Sequence, residues 1–296
     1  MKLKFADNYN LFVIYLVLNL CGYNDENNRE GMHPIRKEIR EYFKKHGKSN
    51  IKIIKPLKGS LKKYNYNRIA YTCLLKREHP RVRKFHGLDE ALLLIKKFEK
   101  SAGLKEFYKS RYLPDLNKII KNEKLGRKLI KYEKDISDFV EIKTNWQISV
   151  VVNFLDAYWR GNNYRLLKNY SIITTGPTDR KEDINWVNIV HEALHCILRV
   201  YFNKAEKNFS VKLIKIIKQK TLDKNYKNNT AMHQIEEVFI RAFTPLIMGE
   251  NLQQLIIQKF PLMKSIYKQL KEKLIKGKIK FNQKILNEVL NEIENL

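Results

Sequence analysis

The stretch NIVHEALHCIL, residues 188–198, sets His191, Glu192 and His195 among uncharged, mostly apolar neighbours. Apolar positions that recur every three or four residues call for a helix with most of its circumference buried. Histidines four apart then share one face of that helix, about 40° apart around the axis and roughly 6 Å apart along it. Burying two imidazoles and a carboxylate without partners is costly, so the remainder of the chain must bring polar groups to this face. No other stretch limits the possible folds as strongly.

A chain of 296 residues, 44% hydrophobic and 30% charged, can supply the core that such a helix needs. Residues 8–22 read as an apolar helix, 34–45 as an amphipathic one and 87–103 as helical by its periodicity, and the stretch DLNKIIKNEKLGRKLIKYEKDI continues in the same style. The pattern changes over 146–179, where β-branched and aromatic residues flank RGNN; Gly161 and Asn162 there predict a turn, giving a hairpin or two neighbouring strands that end at Gly176 and Pro177. Asp183 is the expected N-cap of a helix from Ile184 to about Phe202, and Thr230 that of a second helix reaching about Pro245. Residues 251–296 read as two amphipathic helices around a turn at Gly277. The expected class is α+β, mainly helical, with a small sheet or hairpin beside the HEALH helix. Its expected organisation is a helical region 1–145, a core 146–250 and a C-terminal helical region 251–296, packed as one unit.

The HEALH spacing carries specific chemistry. Each histidine can direct one ring nitrogen at a shared zinc ion, while Glu192, on the flank of the same face, can reach a zinc-bound water as general acid/base. A catalytic zinc site needs a third protein ligand. A third histidine at the short spacing is excluded, because Leu198 and Tyr201 follow in the register where glycine and histidine would stand. HQIEEVFIRAF offers Glu236 and Glu237 instead. Glu237 shares a helical face with His233 and Arg241 and is preferred as the ligand, with Glu236 read as its solvated neighbour. His233 is a candidate for polarising substrate, and Arg241 for a salt bridge or for orienting a nearby carboxylate.

HEALH followed by Glu237-Val-Phe-Ile-Arg241-Ala242 resembles the gluzincin branch of zinc metallopeptidases. Within it the chain is similar to a family of uncharacterised peptidases, classed as a domain of unknown function, that pairs HExxH with a later ExxxRA helix. The opening LFVIYLVLNLCGYNDEN is also similar, so the resemblance spans much of residues 8–250. It implies a zincin-like fold, Zn2+ held by His191, His195 and Glu237, Glu192 as acid/base, and a peptide or protein substrate. It further implies an edge strand that pairs with substrate, for which 148–154 and 169–176 are the candidates. In thermolysin-like enzymes an acidic residue commonly follows the glutamate by one turn; here Arg241 stands there.

The formal charge of +27 opens a different class, a nucleic-acid-associated protein with a structural metal or none. The excess is mostly lysine, spread from Lys2 to Lys284, and reads as solvated surface; its densest cluster, 74–87, carries Lys76, Arg77, Arg81, Arg83 and Lys84. Cys21, Cys73 and Cys196 encode no disulfide framework and suit a reducing compartment. The apolar run before Cys21 is too short to span a bilayer, and lacks a small-x-small cleavage site. It reads as a buried helix of a cytoplasmic protein, with a signal peptide within 1–22 as the alternative.

Overall fold

Leu11 to Leu18 form an unbroken apolar run, so a helix there has no polar face and must be covered all round. In the computed structural model this run is α1 (Tyr9–Leu20), buried from Leu11 to Asn19 and started by Asn8, whose side chain accepts the Leu11 N–H at 2.8 Å. The structure describes residues 1–23, 32–46, 51–61, 65–80, 88–121, 123–178, 184–250, 252 and 254–295. The architecture is mainly helical with one small four-stranded sheet, consistent with the α+β expectation. No helix among the described residues is long and apolar enough to cross a membrane.

After β1 (Lys2–Phe5) and α1 come α2 (Pro34–His46), α3 (Ile51–Leu61), α4 (Tyr66–Glu78) and α5 (Asp89–Ser101). Helices α2, α4 and α5 pack against α1, and α3 packs against α5. α6 (Leu104–Phe107) runs through a π turn at Tyr108–Tyr112 into α7 (Leu113–Ile120), and α8 (Glu123–Phe139) follows.

The sheet adds β2 (Gln147–Val152), β3 (Gly161–Leu167) and β4 (Tyr170–Thr175), in the order β1-β2-β4-β3. β3 and β4 form an antiparallel hairpin whose register runs from Gly161 opposite Thr175 to Leu167 opposite Tyr170. Its turn is therefore Lys168-Asn169 rather than RGNN. Alternation in GNNYRLL puts Asn162, Tyr164 and Leu166 on the buried face, and that pattern outweighs the turn preference of Gly161-Asn162. Both strands expected to offer a free edge, β2 and β4, have neighbours on each side, which corrects that expectation; β3 is an edge. Gly176 closes the strand: a Cβ there would lie 2.3 Å from the Ala157 carbonyl oxygen, while its N–H donates to the Arg160 carbonyl at 2.7 Å.

α9 (Trp186–Ala205) carries HEALH. Asp183 lies outside the described residues; the Asn185 side chain accepts the Asn188 N–H at 3.1 Å and acts as the cap. Then follow α10 (Val211–Lys220), α11 (Ala231–Met248), α12 (Gln254–Lys259), α13 (Leu262–Leu270) and α14 (Gln283–Glu294). Thr230 caps α11 as expected, but the helix continues beyond Pro245 to Met248 and ends at Gly249 with φ 70°. Proline removes one helical hydrogen bond, and burial of Leu246 and Ile247 beyond it offsets that loss.

The chain forms two compact units that interleave in sequence. One comprises residues 1–3, 127–148 and 189–296, the other 4–126 and 149–188. Each unit draws on residues from both 1–145 and 146–250.

Candidate metal centre

All the groups of the candidate site belong to the unit that contains residues 189–296. Its scaffold is aromatic. Phe202 of α9 packs edge-on against Phe239 of α11 at 5.2 Å between centroids, and Phe281 meets Tyr201, Phe239 and Phe243 at 5.8, 6.2 and 5.0 Å. Phe202 lies two turns beyond His195, and Phe239 follows Glu236 by three residues, so the contacts that pack the helices also bring His195 to the carboxylates of α11.

His191, His195 and Glu237 each present one ligand atom, all within 4.8 Å of one another. The His195 Nε2 lies 3.2 Å from Glu237 Oε2, and the His191 Nε2 lies 3.6 Å from Glu237 Oε1. Metal–nitrogen and metal–oxygen bonds of about 2.0–2.1 Å give tetrahedral edges of roughly 3.3 Å, close to the separation of His195 Nε2 from Glu237 Oε2. Glu237 Oε1 is also 2.6 Å from Arg241 Nε, but the direction of that contact does not make a hydrogen bond, and both atoms are buried without one. Two imidazole nitrogens and a buried carboxylate with an oxygen to spare fit a cation.

The charges around the site point the same way. Burial opposes a proton on His195, yet hydrogen bonds to Glu236 and Glu237 and the nearby Glu192 charge outweigh it and push the imidazole up to about 10. Burial also opposes the charge on Glu237, but His191, His195 and Arg241 together hold its carboxyl well below the usual range. The carboxylates thus favour positive charge on His195.

Comparison with known protein families, with curated proteins and with solved structures finds no match. What the site does must be argued from its own residues.

Glu236 is not the solvated neighbour that its sequence position suggested. It is fully buried, with one oxygen 3.0 Å from His195 Nδ1 and the guanidinium of Arg199 donating from Nε at 2.7 Å. Adjacent helical residues point about 100° apart, and both carboxylates are used because one approaches His195 at Nε2 and the other at Nδ1. Arg199 was legible in principle as a charged residue four positions beyond His195, on the same face of an otherwise apolar helix. Tyr226, in the loop before α11, had no such signal. Its hydroxyl lies near Glu237 and Arg241, and burial together with the Glu237 charge raises it above the ordinary phenol range, so it is a neutral O–H. The Arg241 guanidinium lies over both the Tyr226 and the Phe260 rings, at 5.7 and 5.0 Å from their centroids.

Glu192 is half-buried on α9 and close enough to act on the charge of His195. His233 is exposed in the first turn of α11, with its ring nitrogen 3.2 Å from the Thr230 hydroxyl. Of the basic cluster at 74–87, Lys76 pairs with Asp89 at 3.7 Å and Arg77 with Glu99 at 2.9 Å and with Asn10 at 2.7 Å; Arg81, Arg83 and Lys84 lie outside the described residues.

Proposed function

We propose that this protein is a zinc-dependent hydrolase of zincin type, acting on peptide bonds. The observation that carries this reading is the convergence of His191, His195 and Glu237 within 4.8 Å, backed by a buried carboxylate on the far nitrogen of His195. Zinc bound there would supply a Lewis acid for the substrate carbonyl and a coordinated water acidified to about pKa 7. Zinc is preferred over harder cations because imidazole donors outnumber the carboxylate. The gluzincin resemblance of HEALH and of the ExxxRA segment supports the same donor set.

In this reading the chain's own groups divide the work. His191, His195 and Glu237 would hold the ion. Glu192, one residue after the first ligand and on its flank, would serve as the general base for an attacking water and then as the acid for the leaving amine. Arg241 meets Glu237 at Oε1, the oxygen that also faces His191, and with Tyr226 it surrounds the carboxylate with groups that favour its charge.

The test is metal content by elemental mass spectrometry on protein purified without chelator. One zinc per chain in the wild type and its loss in Glu237→Ala are expected. Glu192→Gln is expected to keep the zinc while losing at least a hundredfold in cleavage of a peptide library, the scale of general acid–base catalysis. A wild type that takes up no zinc on reconstitution would end the hydrolase reading.

A further inference from the structure

Glu236 is a charged group with no exposed surface, an arrangement that proteins keep only where partners compensate it. Its two partners are unlike each other. One oxygen faces His195 Nδ1 at 3.0 Å, on the side of the ring opposite the Nε2 that approaches Glu237 at 3.2 Å. The Arg199 guanidinium takes the same carboxylate, with Nε at 2.7 Å from one oxygen and 2.5 Å from the other, while its own side chain is 34% exposed. α9 thus supplies the ligand and, one turn later, the cation that holds the ligand's carboxylate.

We propose that Glu236 is the positioning residue of the metal centre, fixing His195 in the tautomer that turns Nε2 to the ion, and that Arg199 moderates the charge Glu236 places there. This inference rests on the metal reading above. A neutral imidazole has one N–H; a carboxylate at Nδ1 retains it on that nitrogen, so the lone pair is left on Nε2. The ring is also held against rotation, and the carboxylate makes Nε2 a stronger donor. The Glu236–Arg199 pair has a further consequence of sign. Removing the negative partner weakens cation binding, whereas removing the positive partner leaves an uncompensated buried carboxylate that the cation then balances.

The experiment measures zinc affinity of the full-length chain by competition with a chromophoric chelator, for wild type, Glu236→Gln, Glu236→Leu and Arg199→Gln, with far-UV circular dichroism as the check on folding. Glu236→Gln keeps an acceptor but no charge, and a loss of about tenfold is expected. Glu236→Leu removes both, and the loss is expected nearer a hundredfold, the upper range for partners of metal-bound histidines. A shifted visible band of the cobalt-substituted protein should accompany it. Arg199→Gln should bind zinc at least as tightly as wild type although the metal-free protein is less stable. Should Glu236→Leu fail to fold, the opposite signs of Glu236→Gln and Arg199→Gln still decide. Glu236→Gln within twofold of wild type overturns the positioning role alone, as does Arg199→Gln weakening in parallel with it, the mark of a loosened fold. A wild-type chain that binds no zinc overturns both this inference and the reading beneath it.

Discussion

Among the described residues, buried carboxylates are of two kinds, those that face charged partners and those that accept from neutral donors. Glu236 and Glu237 are of the first kind. Asp156 is of the second: fully buried, it accepts from the Tyr23 hydroxyl at 2.7 Å, the Ala157 N–H at 2.8 Å and the Asn162 amide at 3.2 Å. Asp156→Ala strands these donors and is expected to cost about 2–4 kcal/mol, read from urea unfolding. Burial dominates the titration of Asp156 and raises its carboxyl above the ordinary 3.8, against the Tyr23 hydroxyl, the Ala157 N–H and the Arg36 charge, which lower it. A raised value in the fold means that the folded state holds the proton longer than the unfolded chain. The resulting stabilisation is complete below the ordinary value and is lost as pH rises through the raised one. Relative to Asp156→Asn, the wild type should therefore lose stability as pH rises above the ordinary 3.8, and a difference that stays constant as the pH is raised would contradict the assignment. At this scale the sequence was legible where geometry is local. His191, Glu192 and His195 need only one helix to be placed together, whereas the roles of Glu236, Tyr226 and Asp156 depend on which elements come to face them.

Among the elements, long periodic runs were readable and short polar ones were not. α2, α5, α9 and α11 follow their apolar spacing, α1 its unbroken apolar run, and Thr230 caps where expected. The sheet was half-read: β2 and β4 stand out as β-branched runs, but GNNYRLL looks like a turn until its alternation is matched to the buried face of β4. The stop at Gly176 shows why a strand boundary can be stricter than its composition suggests. A methyl group there would meet a backbone carbonyl, which cannot swing away as a side chain would. Gly176→Ala is expected to destabilise by about 2 kcal/mol or more, whereas Gly249→Ala, in open space but at φ 70°, should cost only about 1 kcal/mol. Thermal unfolding of the two variants side by side checks the order.

For the whole molecule, the charge of +27 has to be reconciled with a folded core. Like charges repel most in the compact state, and salt screens them, with a screening length that falls from about 30 Å at 0.01 M to about 8 Å at 0.15 M. The melting temperature should accordingly rise over that range of sodium chloride, and a fall would mean that attractive pairs such as Arg77–Glu99 and Lys273–Glu288 outweigh the net repulsion. The division into units was not legible, because hydrophobic periodicity reports which face of a helix is buried and not which distant segment covers it. Their interleaving has a consequence in time. A chain made from its N-terminus at about 5–20 residues per second has every residue of the 4–126 and 149–188 unit before HEALH has been translated. The other unit then holds only residues 1–3 and 127–148 and must wait for the rest. The two histidines are therefore synthesised seconds before Glu237, so on the proposed metal reading the three-ligand site would be complete only once α11 has been made.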